Sequence, residues 1–214
     1  NIAYNHLIVA STSADIGAAA SIAGNLTISG AADMGDGVPI SVGGDFTTTG
    51  TGTITFSAGE QMTVGGNATF GGGDETGLLS SGTLTVGGNF TQSGDPKSFA
   101  PDILFGNFGV NFNGGAAQSV AFANPGTSYF RHVALAAAKT TGDLLLTTDV
   151  HVAGDLNLSA SPVNVSAPGR IVTLHNGSVS TPSSPGLFTA GELVIRGQPS
   201  SLPSVLTLPV TFDS

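Results

Sequence analysis

One short phrase recurs five times along the 214-residue chain, and it constrains the fold more than any other feature. Each copy has an apolar residue, two small residues, Asn or Asp, another apolar or small residue, and Thr or Asn, as in Val86–Thr91. The small residue before the Asn or Asp falls at positions 24, 44, 66, 88 and 154. The first four copies are almost evenly spaced, and the gap before the fifth equals three of their regular steps. Spacing of this kind predicts a repeat architecture.

Each copy is predicted to form a strand, a corner and a second strand. The residues before the corner alternate between apolar and polar, as in Gly82–Val86, which is typical of a half-buried strand. The small residues and the Asn or Asp tolerate a positive φ, so we expect the chain to change direction there. The predicted structural corner residues are Gly24, Asn25, Gly44, Asp45, Gly66, Asn67, Gly88, Asn89, Gly154 and Asp155.

The period predicts an all-β fold in which each repeat is one coil of a β-solenoid, or parallel β-helix, with about 20–22 residues per coil. Coils of such a fold stack at about 4.8 Å, so roughly ten of them would form a rod about 45–50 Å long. Val42, Val64 and Val86 would then form a buried ladder, and the corner Asn and Asp residues a polar one. The alternative is an antiparallel β-sandwich, which also has short strands separated by turns. The fixed period favours the solenoid.

The spacing and the prolines predict two regions. Residues 1–180 are predicted to form the solenoid, and residues 1–20 within it form an N-terminal cap or a docking strand. The repeated phrase drifts over residues 97–130, where phenylalanines cluster. Residues 181–214 hold five of the eleven prolines and are predicted to form a terminal segment or cap, because proline interrupts the hydrogen bonding of a strand.

Composition excludes several classes of protein. The 32 glycines and a charged fraction of 9 % resemble a linker, but 40 % hydrophobic residues and a mean hydropathy of +0.27 contradict disorder. The net charge is −9 with only five basic residues, so we expect no nucleic-acid partner. Cysteine is absent, which excludes disulfides and thiolate metal sites. No apolar run is long enough to span a bilayer, so insertion into a membrane as a helix is not predicted.

No catalytic or cofactor site is predicted from motifs. The four histidines lack the short spacings of metal sites, and neither the Gly-x-Ser-x-Gly elbow nor a phosphate-binding loop occurs. Carboxylates in two Gly-rich turns are the best calcium candidates, since calcium prefers oxygen ligands. Neither turn matches a known calcium loop, so no metal is predicted there. These candidates are Asp33, Asp36, Asp74 and Glu75.

Three phrases of the chain resemble a known group of proteins. Gly82–Thr91, Val110–Val120 and Leu144–Leu156 are similar to the low-charge, Gly/Thr/Asn-rich repeats of large bacterial surface proteins. These proteins include adhesins and autotransporter passenger domains similar to filamentous haemagglutinin. The resemblance covers roughly residues 20–180. It implies an extracellular, right-handed β-helix that serves as a stalk, fibre or adhesive surface, and it carries over no site residue.

We therefore expect a non-enzymatic, structural or adhesive module of a bacterial cell-surface protein or fibre. Its expected partners are other copies or neighbouring modules, joined end to end by strand addition, together with glycans or a host cell surface. The apolar segment Ile2–Val9 is the predicted docking strand. The alternative is a glycan-binding or glycan-degrading β-helix, and threonine arrays add ice binding as a less favoured reading.

Overall fold

The structure of the protein is a computed structural model that describes residues 3–16, 21–35, 37–102, 106–183, 186–197 and 208–213. Over these residues the chain forms strands and turns, with no helix among them. The strands pair in parallel between successive coils. The fold is the predicted right-handed β-solenoid, and the antiparallel sandwich is wrong.

Three parallel sheets run along the molecule, with strands numbered in chain order. The first sheet has nine strands: β1 (Ala3–Tyr4), β4 (Ser21–Ile22), β7 (Ile40–Val42), β10 (Gln61–Val64), β12 (Ser81–Val86), β14 (Asn107–Phe112), β16 (His132–Leu135), β19 (Leu156–Asn157) and β21 (Val179–Ser180). The second has eleven: β2 (Leu7–Val9), β5 (Leu26–Ile28), β8 (Phe46–Thr49), β11 (Ala68–Gly71), β13 (Phe90–Gln92), β15 (Gln118–Phe122), β17 (Leu144–Leu146), β18 (Val150–Val152), β20 (Val165–His175), β22 (Phe188–Arg196) and β23 (Val210–Asp213). The third has three: β3 (Ala14–Asp15), β6 (Ala31–Asp33) and β9 (Thr53–Thr55).

Each coil has three sides. The first three coils place one strand in each sheet in turn. In later coils the strands on the third side belong to the second sheet. They join it because β20 is long enough to run along two sides of its coil. Its beginning pairs with β17, its end pairs with β18, and the register shifts between Ala167 and Ile171. The coils therefore remain three-sided beyond β9, the last strand of the third sheet.

The length of a coil varies along the chain. On the first sheet Ile22 is in register with Val42, Val42 with Val64, and Val64 with Val86, so these steps repeat the spacing of the corner phrase. The following step runs from Val86 to Phe112 and is longer. The predicted coil length is therefore confirmed for these three steps, whereas the step from Val86 to Phe112 exceeds it and the step from Tyr4 to Ile22 falls short of it. The longest path, ten strands of the second sheet at a spacing of about 4.8 Å, spans about 43 Å, slightly less than the predicted length.

The interior is a stack of apolar ladders. Val42, Val64 and Val86 pair in register and are at most 1 % exposed, as predicted. In the segment where the repeated phrase drifts, the fully buried Phe99 fills the wider coil from the inside. Its ring centroid lies 4.6–6.2 Å from those of Phe70, Phe90, Phe108, Phe122 and Phe130. The drift of the repeated phrase therefore marks the place where extra residues, Phe99 among them, enter the core.

Parallel strands lie on both sides of the predicted boundary at residue 180. β22 pairs with β20 and β23 pairs with β22, so the parallel strands continue beyond residue 180. At the other end, β1, β2 and β3 are the first strands of their sheets. The predicted docking strand includes β1 and β2, and its first residue, Ile2, lies outside the described residues.

Candidate functional surfaces

A ladder of polar side chains runs along the corner between the first and second sheets. Each backbone N–H in this ladder donates to a side chain one coil earlier, at donor–acceptor distances of 2.7–3.0 Å. Four predicted corner residues are brought together here, and the ladder continues by one residue at each end. Its members are His6, Asn25, Asp45, Asn67, Asn89 and Ser119.

The corner glycines are required by the close packing of coils. Gly24, Gly44, Gly66 and Gly88 are not among the glycines with a positive φ, so the predicted reason for them is wrong. A Cβ on Gly66 would overlap the Oδ1 of Asp45 and lie 2.8 Å from the carbonyl oxygen of Gly44. The side chain and backbone of the preceding coil occupy the space that a Cβ needs.

The fifth copy of the phrase lies at a different corner. It joins β18 on the third side to β19 in the first sheet, whereas the other four join the first sheet to the second. There Asp155 accepts from the Ser178 N–H at 2.7 Å, and the Asp155 N–H donates to His132 Nδ1 at 3.0 Å. A Cβ on Gly154 would lie 2.6 Å from the Arg131 carbonyl oxygen. The long interval before this copy is therefore not three repeats of one position, because it spans longer coils and ends one corner away.

The first calcium candidates lie beside an open cavity. Asp33 lines this space of about 530 Å³ with Asp15 and Glu60, and its Oδ1 accepts from the Gly35 N–H at 2.9 Å. Asp36 lies outside the described residues. Across the part of the chain that the structure describes, no group of three or more His, Cys, Asp or Glu side chains could hold a metal ion.

The second calcium candidates are adjacent in sequence, but their side chains lie in different environments. The Asp74 side chain is 49 % exposed, and one of its oxygens lies 3.9 Å from Lys97 Nζ. Glu75 is completely buried, and its two carboxyl oxygens lie 3.0 and 3.2 Å from the Ile54 nitrogen, which donates to them. Burial raises the pKa of Glu75 to about 9, so this group is protonated at neutral pH. The pair does not present two ionised carboxylates to one ligand.

A buried lysine that the sequence did not single out also has a structural role. The Nζ of Lys139 donates to the carbonyl oxygens of Gly114, Ala116 and Thr141 at 2.8, 3.2 and 3.5 Å. Burial lowers the pKa of this amine. The Lys139 amine thus donates hydrogen bonds to the backbone carbonyls of a wide turn. Nothing in the sequence pattern distinguishes this lysine from one on the surface.

Two of the four histidines meet on the third side of the solenoid. His151 and His175 lie on adjacent coils, with their Nε2 atoms 3.0 Å apart and their ring centroids 4.6 Å apart. Burial, His175 and Arg196 lower the pKa of His151 to about 4, and burial and Arg196 lower the pKa of His175. Metal-site motifs do not reveal the pair, because such motifs have short spacings. A separation close to one coil length is the signal that could have found it.

The outward side chains of the two main sheets are uncharged along their central columns. On the first sheet the column in register is Ser21, Ser41, Thr63, Thr85, Asn111, Ala134, Asn157 and Ser180. On the second sheet it is Ile8, Thr27, Thr47, Thr69, Thr91 and Ala121. These columns form neutral surfaces along the rod.

The chain matches no protein-family model, and it has no significant match among curated proteins or solved structures. A search of the described residues for an apolar helix long enough to cross a bilayer finds none.

Proposed function

We propose that the chain is a non-enzymatic structural or adhesive module of a bacterial cell-surface protein or fibre, located outside the cell. The observation that supports this role is the continuous parallel register of the first sheet from β1 to β21. Every coil is hydrogen-bonded to the next through strand backbones, and the corner ladder adds bonds between coils. Such an array resists bending and suits a stalk.

The distribution of charge supports the same role. Equivalent residues of successive coils lie directly above one another, so a charged repeat position would place like charges side by side. The neutral outward columns avoid this repulsion. The resemblance of the repeats to those of bacterial adhesins supports the extracellular setting.

The first strand of the second sheet supports assembly by strand addition. The Leu7 N–H donates to the Asn25 carbonyl at 3.0 Å, and the Val9 carbonyl accepts from the Ser29 N–H at 2.8 Å. Because successive backbone groups of a strand point to opposite sides, the backbone of Ile8 faces away from the sheet. Its side chain is 71 % exposed. An edge of this kind accepts the strand of another copy or of a neighbouring module.

The test measures whether rods join through this edge. We expect the purified chain to form longer rods as its concentration rises, as measured by sedimentation velocity and negative-stain electron microscopy. The Ile8→Lys variant places a charge beside the edge and should reduce this association. The matched control is Leu145→Lys, because Leu145 is 40 % exposed on β17, which is paired on both sides.

Two results would count against the proposal. If Ile8→Lys associates as strongly as the unchanged chain, docking through β2 is rejected. If no rod longer than one chain forms at any concentration, self-assembly is rejected. Release of new reducing ends from a polysaccharide panel, lost on Asp33→Asn or Glu60→Gln, would instead favour the glycan-degrading alternative.

A further inference from the structure

The two histidines of the third side are held in place by the alternation of their strands. His151 lies between Val150 and Val152, which are 3 % and 0 % exposed, so its ring points out of the core. His175 follows the buried Leu174 at the end of β20. β18 and β20 are paired in register, which fixes the backbones that carry both rings. The imidazoles are therefore brought together by the solenoid.

The separation of the two Nε2 atoms is shorter than a tetrahedral ion requires. With metal–nitrogen bonds of about 2.1 Å, two nitrogens 3.0 Å apart subtend an angle of about 90° at the ion. A tetrahedral ion would need a separation of about 3.4 Å at the same bond length. Neighbouring ligands at about 90° are found in octahedral, square-planar and tetragonal sites, and the last two suit Cu²⁺ and Ni²⁺.

We propose that His151 and His175 form a binding site for Cu²⁺ through their Nε2 atoms. An open space of about 280 Å³ adjoins His151 and gives room for the water molecules that complete the coordination. Cu²⁺ also binds nitrogen ligands more tightly than the other divalent ions of its series. This site is independent of the proposed structural or adhesive role.

The charged groups around the pair have partners of their own. The Arg196 side chain, in register with His175, donates from Nε to Asp213 at 3.0 Å, which offsets part of its positive charge. The Oδ1 of Asp149 accepts from the Ile171 N–H at 2.9 Å. Neither side chain is needed as a ligand, so the site consists of two imidazoles and water.

The test is a titration of the purified full chain, without a histidine tag, with a copper(II) salt in a non-coordinating buffer. We expect one Cu²⁺ per chain by isothermal calorimetry and an electron paramagnetic resonance spectrum with hyperfine coupling to two imidazole nitrogens. His151→Ala and His175→Ala should each lower the affinity at least about tenfold, because each removes a ligand. The matched control is His6→Ala, which removes a histidine whose Nδ1 accepts from the Asn25 N–H.

Several results would overturn the proposal. They are no binding by the unchanged chain, affinities of both ligand variants equal to that of His6→Ala, or tighter binding of Zn²⁺ than of Cu²⁺. Thermal unfolding reports whether each variant folds. If the ligand variants do not fold, substoichiometric Cu²⁺ is added to the unchanged chain and ring signals are followed by nuclear magnetic resonance. Selective broadening of His151 and His175 supports the site, and broadening of His6 or His132 instead rejects it.

Discussion

Gly66 and Gly109 both lie in the main coils, but only Gly66 is covered by the coil before it. A Cβ on Gly66 would collide with Asp45 and Gly44, whereas a Cβ on Gly109 would have no atom within 4 Å. We expect Gly66→Ala to lower the free energy of unfolding by about 1–3 kcal/mol, the usual cost of overpacking. Urea denaturation measures the change.

Gly109→Ala is the matched control, since it makes the same chemical change in open space and does not require a positive φ. It should leave the free energy of unfolding unchanged or raise it slightly. Equal losses in the two variants would show that coil-on-coil packing is not the reason for the corner glycine.

Glu75 is predicted to make the fold less stable as the pH rises. Burial raises its pKa from 4.5 to about 9, so between these values the folded chain retains a proton that the unfolded chain has lost. The stabilisation is complete below pH 4.5 and is lost as the pH rises toward 9, by at most about 1.4 kcal/mol per pH unit. Thermal unfolding of the unchanged chain and of Glu75→Gln should be compared from pH 5 to 9.

The amide of Glu75→Gln can still accept from the Ile54 N–H but does not titrate. The stability of this variant relative to the unchanged chain should therefore rise steadily with pH. A difference that stays constant across this range would show that the Glu75 carboxyl is already ionised in the folded state.

At the scale of the element, the corner ladder joins coils through single side chains. Asn67 Oδ1 accepts from the Asn89 N–H at 2.8 Å, and this bond is exposed to solvent. Asn67→Ala should lower the free energy of unfolding by about 0.5–1.5 kcal/mol and speed hydrogen exchange at the Asn89 amide. The matched control is Asn111→Ala, the same change at an outward position of the first sheet. Unchanged exchange at Asn89 in Asn67→Ala would contradict a role for the ladder.

The strands of the first coils follow from the sequence because their repeat is nearly constant. β7, β10 and β12 show the alternation of buried and exposed residues, and the spacing of the phrase is the register itself. Later coils were less predictable. The fifth copy of the phrase occupies another corner, because Gly followed by Asp fits any place where coils pack closely and an acceptor is needed.

The candidate sites show the same limit of sequence reasoning. Local spacing placed Asp74 and Glu75 together, but burial on only one side of the backbone separates their environments. The proximity of His151 and His175 can be predicted only when the length of their own coil is known. Insertions such as the one around Phe99 change that length, so the pairing needed the three-dimensional register.

At the scale of the whole molecule, a solenoid is stabilised by contacts between neighbouring coils, so a residue that contacts several coils has a disproportionate effect. Phe99 is such a residue, because it is fully buried against five other phenylalanines from several strands and loops. We expect Phe99→Ala to lower the free energy of unfolding by about 3–5 kcal/mol, the usual cost of removing a buried phenylalanine side chain.

The same substitution at the end of the rod provides the control. Phe212 lies on β23 and is 65 % exposed, so Phe212→Ala should change the free energy of unfolding by less than about 0.5 kcal/mol. Denaturant unfolding followed by circular dichroism measures both variants. If Phe99→Ala cost no more than Phe212→Ala, the phenylalanine cluster would not be what holds the longer coils to the regular ones, and the stability of the rod would reside in its backbone and corner ladders.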